Sequence, residues 1–190
     1  MKELAAEIAV CTRCVLHRSR ICTVPGEGPA PARLMFIGEA PGKAEDEKGS
    51  PFVGRAGKIL TDLLEGIDIK RDQVFITSVV KCRPPDNRDP RKEEILACKS
   101  FLFRQIMQIK PQIIVPMGRF ATSVILEFFD LPFTSLKLAR RNEYSAGFED
   151  DTLYIVPVYH PAVVTHNPNT REDLKQDFFF LKEVLKKKKE

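Results

Sequence analysis

Residues 34–67, LMFIGEAPGKAEDEKGSPFVGRAGKILTDLLEGI, decide the fold. They open on a short apolar run, Leu34–Ile37, that reads as a buried strand. They close on an amphipathic helix over Arg55–Ile67, in which Ala56, Ile59, Leu60, Leu63, Leu64 and Ile67 recur at helical spacing on one face. The next apolar run, Val74–Val80, completes a strand–helix–strand unit, and Ile113–Val115 and Leu153–Tyr159 read as two more strands. Helical patterns separate them. One takes Asp89 as N-cap and Pro90 as its first residue, then runs through Ile95, Cys98, Leu102, Ile106 and Ile109. Arg119–Phe129 is another, and Asp173–Lys187 is the last, with Leu174, Phe178, Leu181 and Leu185 inward.

Strands spaced about forty residues apart with helices between them predict a three-layer α/β/α fold around a mainly parallel, four-stranded sheet. Right-handed crossovers place all the strands' carboxyl ends on one rim, where ligands bind in such sheets. Four segments then converge there: GEAPG (38–42), KCRPPDNRDP (81–90), MGR (117–119) and HPAVVTHNP (160–168).

The 190 residues suit one domain, 1–190, and a hydrophobic fraction of 43% supplies a full core. No apolar run approaches the ~20 residues of a membrane span. The opening MKELAAEIAVCTRC lacks the apolar stretch of a signal peptide, so a cytoplasmic protein without membrane contact is expected. The net charge of +4 is unevenly spread. Residues 81–92, 137–141 and 186–190 each carry +3, which leaves −5 on the remainder. Basic patches on an acidic background are a polyanion-binding footprint. The terminal lysines read instead as a solvated helix end, and QDFFFL (176–181) as core helix rather than a clamp-binding motif.

Five cysteines in such a chain argue against a disulfide framework. Cys11 and Cys14 form a C-x2-C, while Cys82 and Cys98 follow a strand and enter a helix respectively. Spacing supports a four-cysteine metal site and leaves zinc and iron–sulfur both open. Cys22 reads equally well as a core residue. GEAPGK lacks the spacing and the Ser/Thr of a nucleotide-binding phosphate loop.

Taken together, GEAPGKAEDEKGSPFVGRAGKIL (38–60), VFITSVVKCRPPDNRDP (74–90), HPAVVTHNP (160–168) and the C-x2-C resemble the family 4 uracil-DNA glycosylases, iron–sulfur members of their superfamily. The resemblance runs from the first cysteine pair to the last helix. It implies a [4Fe–4S] cluster on Cys11, Cys14, Cys82 and Cys98 with Cys22 outside, uracil-containing DNA as partner, and a monomer. The alternative is a non-catalytic or altered-specificity iron–sulfur DNA-binding member. A structural zinc module is the third reading.

A glycosylase extrudes a base, holds it and cleaves its bond to the sugar, with negative charge gathering on the departing base. The resemblance assigns His160 as the catalytic histidine that stabilises that charge, and Phe52 as the aromatic on which uracil stacks. It places Glu39 near the base and the hydrolytic water, Gly38 with its backbone toward the base, and Glu45 as a further candidate. Many superfamily members carry Asp where this chain has Ala40, so water positioning falls to other groups. Ser78 stands where the family usually has Asn. A single hydroxyl cannot both donate to uracil O4 and accept from N3–H across the span of an amide. The expectation is retained uracil activity with less sharp discrimination. Arg83, Arg88 and Arg91 are phosphate-contact candidates, with Val163 and Val164 as a wedge and His166 as a further DNA contact.

Overall fold

The computed structural model describes residues 1–188. The chain begins with α1 (Lys2–Ala9), then reaches β1 (Leu34–Gly38), α2 (Lys43–Lys48), α3 (Arg55–Glu65) and β2 (Phe75–Ser78). It continues through α4 (Lys92–Ile109), β3 (Ile113–Pro116), α5 (Arg119–Phe128) and α6 (Leu136–Ala139). A hairpin of β4 (Tyr144–Phe148) and β5 (Asp151–Ile155) follows, then α7 (Val163–His166) and α8 (Thr170–Lys187).

The sheet has five strands in the order β2-β1-β3-β5-β4, rather than four. β1 pairs parallel with β2 and β3, β3 pairs parallel with β5, and β4 lies antiparallel at the edge. The fifth strand escaped sequence reading because YSAGF has no apolar run; it alternates between half-buried and exposed, as one-sided edge strands do. β5 stops at Ile155 rather than Tyr159 because Pro157 cannot donate to the ladder. Beyond it, Val158 still makes an isolated parallel bridge to Met117 and carries the chain to the rim.

Alternation along β1 builds the two cores. Met35 and Ile37 face α1, α4 and α5, whereas Leu34 and Phe36 face α3 and α8. The start of α4 also differs from expectation. Arg91, not Asp89, is its N-cap, because the Glu94 carboxylate accepts the Arg91 backbone N–H at 2.7 Å and closes the first turn. At the outer edge of β2, Glu27 exchanges both backbone hydrogen bonds with Ile76, at 3.0 and 2.8 Å. No helix among the described residues is long and apolar enough to cross a membrane.

Candidate active site

A pocket of about 490 Å³ opens at the carboxyl ends of the parallel strands. Glu39, Glu45, Phe52, Ser78, Arg88 and His160 line it, together with Val24 and Asn87, which sequence reasoning did not single out, and Asp89, expected only as a helix cap. Gly38 lies directly behind Phe52. A Cβ on Gly38 would sit 2.7 Å from Phe52 Cζ, so only glycine lets the ring settle against the strand end. Phe52 itself has φ of 50° and is 7% exposed. Its backbone is held by close packing: a Cβ on Gly57 would lie 1.8 Å from the Phe52 carbonyl oxygen.

Glu45 stands at the third position of α2, where its carboxylate accepts the Gly42 N–H at 3.1 Å as a capping box does. The other oxygen accepts the N–H groups of Val53 and Gly54, both at 2.9 Å. Both oxygens are thus engaged by backbone, and Glu45 staples the GEAPG loop to the PFVG loop instead of presenting a free carboxylate to a base. Arg71, which carried no sequence signal, supports the same loop. It donates to the Pro51 carbonyl at 2.7 Å while paired with Glu27.

His160 sits across from Phe52, with ring centroids 5.5 Å apart. Its Nδ1 accepts the Ala162 N–H at 3.1 Å. That bond leaves the neutral ring's proton on Nε2, a donor. Although part of the ring's surface is open, the surrounding atoms strip it of water and push its pKa down to about 4, opposed by the charge of Glu45. The imidazole is therefore neutral at physiological pH. Its approach is fixed one residue earlier, where the Tyr159 N–H donates to the buried Asp177 carboxylate at 3.0 Å. Asp177 lies on the inward face of α8, and a charged residue on an apolar stripe was the signal that could have found it.

Glu39 is the electrostatic opposite of His160. Burial, and the nearby charge of Asp89, raise its pKa to about 7, against the pull of Arg119. A carboxyl of that kind exchanges a proton near neutral pH. Ser78 ends β2 at the pocket floor, 3% exposed.

The basic segments are less available than their charge suggests. Arg83 donates to Asn87 at 2.7 Å, and Arg88 forms a fork with the buried Glu94 at 2.6 and 2.9 Å. Arg91 and Lys92 remain exposed. In 137–141, Arg140 turns inward and Arg141 joins it on Asp173 and Asp177 of α8, so those two charges are engaged while Lys137 stays exposed. Val164 is 7% exposed and packs into the core on the α3–α8 side, which leaves Val163, only partly buried, as the remaining wedge candidate. His166 closes α7, and its side chain is not among those described.

Cys11, Cys14, Cys82 and Cys98 line one small cavity beside Arg20 and Lys81, while Cys22 lies apart, near Gly49. Arg20 donates to Cys82 Sγ at 3.3 Å and to the Cys11 carbonyl at 2.7 Å. Burial pushes the thiols of Cys14 and Cys82 up, and that of Cys98 to about 11. Four thiols around one cavity, two buried and two half-buried, with an arginine at one sulfur fit a cationic inorganic core that would take their protons' place. Among the described residues, no three His, Cys, Asp or Glu side chains are placed to hold a single metal ion.

Residues 25–182 match the uracil DNA glycosylase superfamily. The type-4 uracil-DNA glycosylase of Archaeoglobus fulgidus is 43% identical over 188 residues, spanning 99% of this chain and 94% of that protein. That of Sulfurisphaera tokodaii is 45% identical over 97% of this chain and 84% of its own. That of Thermotoga maritima is 39% identical over 96% and 95%. With its pocket-bearing segments inside the matched region and such relatives along nearly its whole length, the chain belongs to the uracil DNA glycosylase superfamily, in its type-4 group.

Proposed function

We propose that this protein is a monofunctional uracil-DNA glycosylase that hydrolyses the N-glycosidic bond of uracil in DNA and leaves an abasic site for base-excision repair. The observation that carries the reading is His160, with Nδ1 occupied by the Ala162 N–H and Nε2–H left to donate, opposite Phe52 in the rim pocket. An extruded uracil stacks on Phe52, an interaction of about 1–3 kcal/mol with little base preference. As the bond to C1′ breaks, its electron pair moves onto the uracil ring and O2. The His160 N–H meets that charge without needing to be protonated itself. Glu39, ionised, orients a water toward C1′ and takes its proton.

Among the described residues lining the pocket there is no lysine to serve as an amine nucleophile. The expected product from a uracil-containing oligonucleotide is therefore an abasic site that stays uncut until alkali is added. An enzyme–DNA adduct trapped by borohydride would count against this reading. DNA is gripped through cations still exposed at the rim, Arg91 foremost, with Arg83 and Arg88 shaping the loop that carries it; binding weakens as salt rises.

Cys11, Cys14, Cys82 and Cys98 are proposed to hold a [4Fe–4S] cluster. Four cysteines lining one cavity, drawn from three segments of the chain, supply the thiolate set that such a cluster takes. When bound, such a cluster supplies a structural staple joining the segment after α1, the end of β2 and α4. The purified protein should be brown, with broad visible absorbance and about four irons per chain. A colourless protein containing one zinc would overturn that assignment.

Ser78 bears on specificity. Ser78→Asn should leave the rate on uracil within about tenfold, and raise selectivity for uracil over hypoxanthine and xanthine by about 10-fold or more, as a site that pairs both edge groups rejects mismatched ones. Identical selectivity in the two proteins, measured over a panel of deaminated bases, would dispose of the idea.

A further inference from the structure

Lys81 is 1% exposed, and burying an ammonium is costly unless every donor finds an acceptor. All three do. Its Nζ donates to Thr77 Oγ1 at 2.7 Å, to the Ser78 carbonyl at 2.6 Å and to Gln105 Oε1 at 2.6 Å. Thr77 and Ser78 form the end of β2 at the pocket floor. Gln105 lies on α4, seven residues beyond Cys98 and so on the same side of that helix. The Lys81 carbonyl accepts the N–H of Val24, which lines the same pocket, at 2.8 Å. The next carbonyl, that of Pro25, receives both Thr77 Oγ1 and Gln105 Nε2. On its other side Lys81 lines the four-cysteine cavity and directly precedes Cys82.

We propose that Lys81 is a positioning residue that couples the four-cysteine site to the base pocket. One side chain fixes the strand end that carries Ser78 and, through Gln105, the helix that carries Cys98. A base that settles against Ser78 tightens the same network that holds the cysteines in register. Coupling of this kind is reciprocal, so occupancy of the pocket protects the metal site, and loss of the metal loosens the pocket. The proposal rests on the readings of the pocket as a uracil site and of the cysteines as iron–sulfur ligands.

The test follows the visible absorbance of the holoprotein as an iron chelator removes the metal, with and without saturating free uracil, and with thymine as control. Uracil should slow bleaching of the wild-type protein about 5-fold or more. Lys81→Met should bleach at one rate with or without uracil, while still brown at the start and still binding uracil by calorimetry. A residue with a merely structural role would speed bleaching but leave the uracil effect in place. Should Lys81→Met fail to fold, Thr77→Val removes one arm of the network and is expected to diminish the protection. No protection in the wild type, or equal protection in wild type and Lys81→Met, overturns the coupling. A colourless starting protein, or one that does not bind uracil, overturns the underlying readings, and that is seen before chelator is added.

Discussion

His160→Ala should lower the single-turnover rate of uracil release by about 10²–10³-fold, the usual cost of removing one donor from a site where charge develops. Affinity for uracil-containing duplex, measured by fluorescence anisotropy, should be nearly unchanged, because the cations proposed to grip DNA, Arg91 foremost, are other residues than His160. The size of the effect follows from the setting of the imidazole. Its Nδ1 is taken by the Ala162 N–H, so the Nε2 donor is aimed in advance rather than found during the reaction. The desolvation that depresses its pKa to about 4 also strengthens any hydrogen bond it makes to a nascent anion. His160→Gln, which keeps an N–H donor without the ring, should recover part of the loss. A fall of less than about tenfold in His160→Ala would mean that the anion is stabilised elsewhere.

Glu39→Gln is expected to cost about 10²–10⁴-fold and, more tellingly, to change the shape of the pH profile. A general base works only when ionised. With the Glu39 pKa raised to about 7, the wild-type rate should climb with pH through neutrality and level off above it. Below that point it should lose about tenfold per pH unit. His160, neutral down to about pH 4, adds no limb in that range. In Glu39→Gln the residual rate should be flat across the same pH values. An acid limb that survives the substitution would assign it to another group. The two residues also pull stability in opposite directions. Glu39 binds its proton more tightly when folded, so its contribution is present below the unfolded carboxyl pKa and is lost as pH rises toward 7. His160 binds its proton less tightly when folded, so stability falls as pH drops from 6.5 toward 4.

Much of this was legible in the sequence because it is local. The parallel core strands and the helices α3, α4, α5 and α8 follow from apolar periodicity, and the rim follows from crossover handedness. What escaped was set by partners distant along the chain. β4 is a strand only because β5 pairs with it. The pairing of Arg140 and Arg141 depends on an aspartate 36–37 residues away. Glu45 was a candidate for the base and its water, and its role as a staple appears only once Val53 and Gly54 are folded back over α2. Asp89 was a plausible helix cap by type, yet the carboxylate of Glu94, two residues inside the helix, closes the first turn and grips Arg88 as well. Charge counted along the chain overstated the cations free to meet DNA, since arginines are the side chains best suited to internal forks with carboxylates.

The bridge between Glu27 and Ile76 has a consequence for behaviour at high protein concentration. β2 is an outer strand of the sheet, and a bare outer strand invites pairing with a second copy of the chain. The segment that brings Val24 to the pocket also lays Glu27 along that edge, taking up the Ile76 N–H and carbonyl that an incoming strand would otherwise pair with. The same short stretch that walls the pocket thus also guards against aggregation, and a substitution that frees it would be felt first as lost solubility.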